Sequence, residues 1–215
     1  MQKLMETEKA FSLLKKRSIP CAEWKIAKNE KSAVAAAKKI GFPVVLKVSS
    51  KKIVHKSDIG GVIANLENEG EVAGAFNEII RNAKKVRVKP EGVLVQKMHP
   101  GTEVIIGMKK DPQFGPVVLF GLGGIFVEIM RDVSMRISPL TKNDCIEMIK
   151  EIKGSKILLG ARGKKPANTE ALVKILMAVS SIGMKNKKIM EMDLNPVMVD
   201  EKSASVVDAR IITEK

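Results

Sequence analysis

Aromatic side chains are scarce in this 215-residue chain: tyrosine is absent, tryptophan occurs once and phenylalanine six times. So few rings offer little for single-stranded bases to stack on, which argues against a dedicated nucleic-acid binder. Histidine occurs only as His55 and His99, too few for a multi-histidine metal centre. Cys21 and Cys145 lie far apart with no CxxC partner, so neither a disulfide framework nor a thiolate metal site is indicated, and a reducing compartment fits. The longest apolar stretch, 171–184, is broken by Lys174 and serines and falls short of the roughly 20 apolar residues of a membrane span. The opening MQKLMETEKAF mixes acids and bases without an apolar core, so no signal or transit peptide is readable. The expectation is a cytoplasmic protein without membrane contact. GxxxxGK[ST] does not occur, and GLGG at 121–124 leads into a strand, so neither a P-loop nor a dinucleotide fingerprint is present.

What is there is an ordinary globular composition, 45% hydrophobic and 29% charged, enough to bury a core as one domain or two small lobes. Its 38 Lys and Arg against 24 Asp and Glu leave a net charge of +14, which favours an anionic partner. Nucleotides and coenzyme A satisfy that as well as nucleic acid does, and the basic residues are spread along the chain rather than gathered in one run.

Helical spacing predicts helices over Glu6–Lys16, Ser32–Ile40, Glu71–Asn82, Asn143–Ile152 and Thr169–Ile182. Short β-branched runs predict strands at Val44–Val48, Val62–Leu66 and Gly92–Met98. Glu103–Lys109 and Pro116–Phe120, joined by DPQFG, read as a hairpin; a second hairpin is expected across Gly124–Ile137, and paired strands at Lys188–Leu194 and Ser205–Ala209. Several connections are too short for parallel crossovers, so the expected class is α+β. With no repeat and no linker-like segment, a hinge is placed near Gln96–Gly101.

Lys47 occupies an inward-reading position of an apolar strand, and a buried ammonium needs an anion; the alternative is a strand-end lysine that snorkels to water. HKSDIGG, His55 to Gly61, sets a basic group, a hydroxyl and the pair Gly60–Gly61 in one loop, as a phosphate cradle or as a plain hairpin turn. His55 could act there as base, phosphate contact or phosphoryl nucleophile. Asp193 and Asn195, two apart on one strand, share a face that Asp208 can join from its neighbour. Their oxygens suit Mg²⁺ shared with nucleotide phosphates, or else form a solvated edge with a turn at Asn195–Pro196.

In this order, FPVVLKV, HKSDIGGV, GVLVQKM, TEVIIG with DPQFGP, GLGGIFVEIMRDVSMRISPL, MDLNPV and VVDARI resemble the ATP-grasp domain of the NDP-forming acyl-CoA synthetases, related to succinyl-CoA synthetase beta chains. The resemblance implies an α+β ATP-grasp fold with mixed and antiparallel sheets in two lobes, 1–95 and 96–215, and the nucleotide between them. It implies the beta subunit of an ADP-forming acetate or acyl-CoA ligase, active with a CoA-binding alpha subunit in an α2β2 assembly, with ATP or ADP and Mg²⁺ as cofactors and no nucleic acid. Lys47 would then meet phosphates. Gln96, Lys97 and Met98 would meet adenine through backbone groups, with Glu103 near the ribose. Asn195 and Asp208 would hold Mg²⁺. Asp193 stands where succinyl-CoA relatives carry a glutamate near the transferred phosphoryl group, and His55 would relay or orient that group. A regulatory or acyltransferase-associated ATP-grasp module, and a basic RNA-binding protein, stand as alternatives.

Overall fold

A computed structural model describes residues 2–50, 53, 56–124, 132–160 and 165–214. In chain order the elements are β1 (Gln2–Leu4), α1 (Thr7–Lys16), β2 (Trp24–Ala27), α2 (Glu30–Ile40), β3 (Val44–Ser49), β4 (Val62–Leu66), α3 (Glu69–Lys85), β5 (Gly92–Lys97), β6 (Thr102–Asp111), β7 (Gly115–Leu122), β8 (Val133–Ile137), α4 (Lys142–Glu151), α5 (Ser155–Leu158), α6 (Thr169–Lys185), β9 (Ile189–Val199), β10 (Ala204–Val206) and β11 (Ala209–Glu214). No helix among the described residues is long and apolar enough to cross a membrane.

The chain clusters into two compact units, Ala22–Met98 and Met1–Cys21 together with His99–Lys215. This differs from a single cut at 95/96 for two reasons. Strand β5 runs whole through Lys97, whose N–H donates to the Glu23 carbonyl at 2.8 Å. The first residues belong with the larger unit because β1 pairs with β11, where the backbone groups of both strands find partners.

The smaller unit is an antiparallel sheet in the order β2-β5-β3-β4, with α2 and α3 on one face. Alternation along the strands decides which face. Val44, Leu46 and Val48 of β3 and Val93 and Val95 of β5 pack against Ala33, Ala36 and Ala37 of α2 and Val72, Phe76 and Ile79 of α3. Both helices begin two residues earlier than their apolar period suggests. The Asn29 side chain accepts from the Ser32 N–H and the Asn68 side chain from the Glu71 N–H, each at 2.9 Å, so the expected first residues are the ones the caps touch.

The larger unit is a seven-stranded sheet in the order β1-β11-β9-β6-β7-β8, with β10 added on β9. Helix α6 lies on β6 and β7 and buries Leu172, Ile175, Leu176 and Val179, while α4 packs on α6 and β8. Of the hairpin expected across Gly124–Ile137, residues 125–131 lie outside the described residues; its last part forms β8, which pairs with β7, Val117 opposite Ile137. The expected strand Ser205–Ala209 is instead two, β10 and β11, divided at Val207 and Asp208. Strand β9 does not stop at Leu194. It continues through Asn195–Pro196 as a bulge: Val197 faces Val104 and Leu194 faces Ile106, leaving two residues of β9 opposite Ile105 alone. Both cysteines are free, and burial pushes their thiols up to about 12 for Cys21 and about 11 for Cys145, so neither is a thiolate at neutral pH.

Leu46 is fully buried at the centre of the smaller unit's core. Leu46→Ala should lower stability by about 2–5 kcal/mol in urea unfolding followed by circular dichroism.

Candidate functional site

In the smaller unit the same alternation that sends Leu46 and Val95 toward the helices sends Lys47 and Gln96 to the opposite face. In the β3–β5 ladder Val45 stands opposite Gln96 and Lys47 opposite Leu94, so these four share a face. Val62 of β4 joins them opposite Lys47, and Trp24 of β2 opposite Gln96. Lys47 is 8% exposed and Gln96 0%, so both polar groups lie within packed surroundings. Neither Oε1 nor Nε2 of Gln96 has a hydrogen-bond partner among the described residues.

The residues after Gln96 are committed to the fold. Lys97 lies on the helix-covered side, where its Nζ donates to the Gly41 and Phe42 carbonyls, each at 2.8 Å, holding the end of α2. Its side chain is therefore structural. The Met98 N–H reaches the Pro43 carbonyl at 3.3 Å and its Sδ accepts from the Asn65 N–H at 3.1 Å. With the N–H groups of Lys97 and Met98 taken, the carbonyl oxygens are what these residues can offer a base.

The Gly60–Gly61 pair also differs from a cradle of free donors. The Gly60 N–H bonds the Ser57 carbonyl at 2.9 Å and the Gly61 N–H the Lys56 carbonyl at 2.8 Å. Gly60 has φ +62°, and a Cβ on Gly61 would stand 2.7 Å from Val48 Cγ1 and 2.8 Å from the Lys56 carbonyl oxygen. These glycines let a tight turn close on β3; they do not lend amide hydrogens to a ligand. His55 lies outside the described residues.

In the larger unit Asp193 and Asn195 lie two apart on β9 as the strand period predicts, whereas Asp208, expected on the neighbouring strand, joins them from the segment between β10 and β11. Met192 and Leu194 are buried on the core side of β9, while Asp193 and Asn195 face the other way, half-buried and exposed respectively. The Asn195 N–H donates to the Asp208 carbonyl at 3.2 Å, which locks the two residues side by side. Arg210 stands opposite Asp193 across the β9–β11 ladder, and Gly107 of β6 opposite it on the other side. Burial holds the Asp193 carboxyl above the ordinary aspartate range; Arg210 pulls it down, and Glu191 and Asp208 add to the rise. Glu103, second residue of β6, lies on the same face as Gly107, four residues or about 13 Å along the strand from it. Its carbonyl accepts from the Gly123 N–H at 2.8 Å.

Asn195 and Asp208 supply hard oxygen donors of the kind Mg²⁺ takes, and Asn195 is exposed to an incoming ligand. Among the described residues no group of three or more His, Cys, Asp or Glu stands together as a metal site. The pair thus suits an ion shared with an oxygen-rich ligand. Arg210 and Trp24 escaped sequence reading. Arg210 lies two residues beyond Asp208, a visible signal of a shared face, whereas the four-residue strand β2 is too short for its period to show.

The family model for the ATP-grasp domain matches residues 1–213. The chain is similar to the Acetate–CoA ligase [ADP-forming] I subunit beta of Pyrococcus furiosus, 50% identical over 212 residues, 97% of this chain and 91% of that protein. It is 44% identical to the Acetate–CoA ligase [ADP-forming] I of Archaeoglobus fulgidus, covering 99% of this chain but only 32% of that longer protein. Among solved structures it is similar to the acetyl-coenzyme A synthetase 1 of Ca. Korarchaeum cryptofilum with coenzyme A and Ca-AMPCP, with a TM-score of 0.95 and 48% identity over 99% of this chain and 94% of that one. Another structure of that protein, with a TM-score of 0.87 and 46% identity over 99% of this chain and 93% of that one, contains coenzyme A and Mg-AMPPCP, its phosphohistidine segment pointing towards the nucleotide binding site.

Because burial raises the Asp193 pKa, folding disfavours its charged form: the unfolded chain loses the proton first, and stability falls as pH rises from the ordinary aspartate pKa through the raised one. Asp193→Asn should therefore melt higher than the parent at pH 7 by calorimetry, the difference closing as pH falls toward 4.

Proposed function

The chain belongs to the ATP-grasp family, and from that premise we propose that it is the nucleotide-handling beta subunit of an ADP-forming acetate or acyl-CoA ligase. It would work with a CoA-binding alpha subunit, in the cytoplasm and as an α2β2 assembly. The observation that supports this reading most is the oxygen cluster of Asp193 and Asn195 on β9 with Asp208 from the segment between β10 and β11, tied to β9 by the Asn195 N–H to the Asp208 carbonyl. Similarity along almost the full length of a beta subunit supports the synthetase over a regulatory ATP-grasp module.

The reaction is acyl-CoA, ADP and phosphate giving free acid, CoA and ATP, with this chain passing the phosphoryl group between a phosphohistidine of the partner and ADP. Phosphoryl transfer asks a protein mainly for positioning and for charge neutralisation. Lys47, held on a central strand, contacts phosphate oxygens. The carbonyl oxygens of Lys97 and Met98 accept from the exocyclic amine of the base, and the Glu103 carboxylate accepts from ribose hydroxyls. Asn195 and Asp208 hold Mg²⁺, which when bound offsets the negative charge of the phosphates. Asp193, raised in pKa by burial, lies beside that pair and orients the transferring group. His55 relays or aligns the phosphoryl group. The excess of positive charge assists docking of a phosphorylated partner segment, an attraction that weakens with salt.

Co-expression with a candidate alpha chain should yield ATP from acyl-CoA, ADP, phosphate and Mg²⁺, with neither chain active alone and activity lost in EDTA. Lys47→Ala should lower kcat/KM for ADP by on the order of 100-fold or more, as loss of a preorganised charge contact does. Absence of ATP formation with any alpha chain would refute the assignment.

A further inference from the structure

We propose that Gly107 is a positioning residue: the bare stretch it leaves on the sheet face between Asp193 and Leu119 receives the terminal phosphoryl group of the nucleotide, a role that rests on the nucleotide-handling function proposed above. Gly107 lies inside β6, a ten-residue strand with β9 on one side and β7 on the other. Glycine weakens a strand interior, because it loses more backbone freedom on folding than any other residue and packs no side chain.

The described residues do not ask for glycine there. Gly107 is outside the left-handed region that Gly60 and Gly115 occupy. An added Cβ would stand 3.6 Å from the Met192 carbonyl oxygen and 3.7 Å from Leu119 Cβ, which are ordinary contact distances. Gly92 and Gly183 differ, since a Cβ on them would come within 2.7 Å of Ile26 Cγ2 and 2.9 Å of Pro116 Cβ respectively. A strand glycine required neither by its backbone nor by packing among the described residues points to an outside group that approaches the backbone closely.

The surroundings point to which group that is. The row across the sheet through Gly107 reads Arg210, Asp193, Gly107, Leu119, Met135. Side chains therefore flank a gap one residue wide, charged on the β9 side and apolar on the β7 side. Along the same face of β6, Glu103 is assigned above to the ribose, and Ile105 lies opposite the bulge that carries Asn195. A phosphate chain that leaves the ribose and passes the Asn195 and Asp208 pair reaches the level of Gly107 last, beside Asp193. The group at that level is the terminal phosphoryl. With no Cβ at 107 it lies against the backbone. A methyl group would lift it by about an ångström, and a misplacement of that size costs on the order of 100-fold in rate.

The test compares the parent with Gly107→Ala, Gly107→Val and, as a control, Gly74→Ala in the interior of α3, where an added Cβ meets nothing within 4 Å. Each chain is melted, titrated alone with Mg-ADP and with Mg-ATP by calorimetry, and assayed for ATP formation with the alpha chain. Gly107→Ala should melt about 1–4 °C higher than the parent, as a tolerated glycine-to-alanine change does. It should bind Mg-ADP within about twofold of the parent, bind Mg-ATP about tenfold more weakly, and form ATP with a kcat about 100-fold lower at an unchanged KM for ADP. Gly107→Val should widen the gap between Mg-ADP and Mg-ATP further. Gly74→Ala should gain thermal stability with binding and turnover at parent values. A parent-like ratio of Mg-ADP to Mg-ATP affinity in Gly107→Ala overturns the inference; a fall in turnover beside that ratio assigns the position to contact with the alpha chain instead. A lowered Tm with both nucleotides weakened alike also overturns it and shows that the fold itself requires the glycine. A parent chain that binds neither nucleotide sinks the nucleotide-handling reading, and this inference with it.

Discussion

Antiparallel pairing of β3 with β5 sets Val45 against Gln96 and Lys47 against Leu94, and this register is the constraint on which the smaller unit depends. Shifted by one residue, Lys47 and Gln96 would point into the layer of alanine, valine and phenylalanine side chains from α2 and α3, where no anion or base could meet them. Leu46 and Val95 would be driven out of that core at the same time. The hydrophobic energy of one face thus holds the polar residues of the other in place, and neither arrangement is stable without its counterpart.

A similar coupling operates along β9, with a bulge added. Met192, Leu194 and Val197 are buried against the helix layer, which leaves Asp193 and Asn195 facing away. The extra residue at Asn195–Pro196 lets the strand continue to Val199 and keeps Asn195 bonded to the Asp208 backbone. Bulges re-aim side chains, and here the re-aimed residue is a proposed metal ligand. Asp193 is held where burial opposes its charge despite Arg210 across the ladder. The fold thereby bears a cost at a residue to which the phosphoryl-transfer reading gives a role.

Much of the fold was legible. The helices over α1, α2, α3, α4 and α6 and the strands β3 to β7 follow from apolar periods of 3.6 and 2, with errors of a few residues where Asn29 and Asn68 cap from outside the periodic segment. Strands β1 and β2 were not legible, because three or four residues cannot display a period. The lobe boundary was half legible. Composition shows no linker, and the return of residues 1–21 to the larger unit is decided by the pairing of Gln2–Leu4 with the far end of the chain.

At the candidate site the same division holds. From local pattern alone came the face shared by Asp193 and Asn195, the polar group at Lys47 within an apolar strand, and the ordered motifs that identify the family, because each depends on residue type and nearby spacing. Tertiary structure decided that the Gly60 and Gly61 amides are consumed in their own turn, that Lys97 clamps the end of α2, and that the Gln96 amide is buried with no hydrogen-bond partner among the described residues. Those outcomes depend on Lys56 and Ser57, on Gly41 and Phe42, and on the layers around β5. Hydrogen-bond partners are chosen by distance in space, which spacing along the chain does not encode.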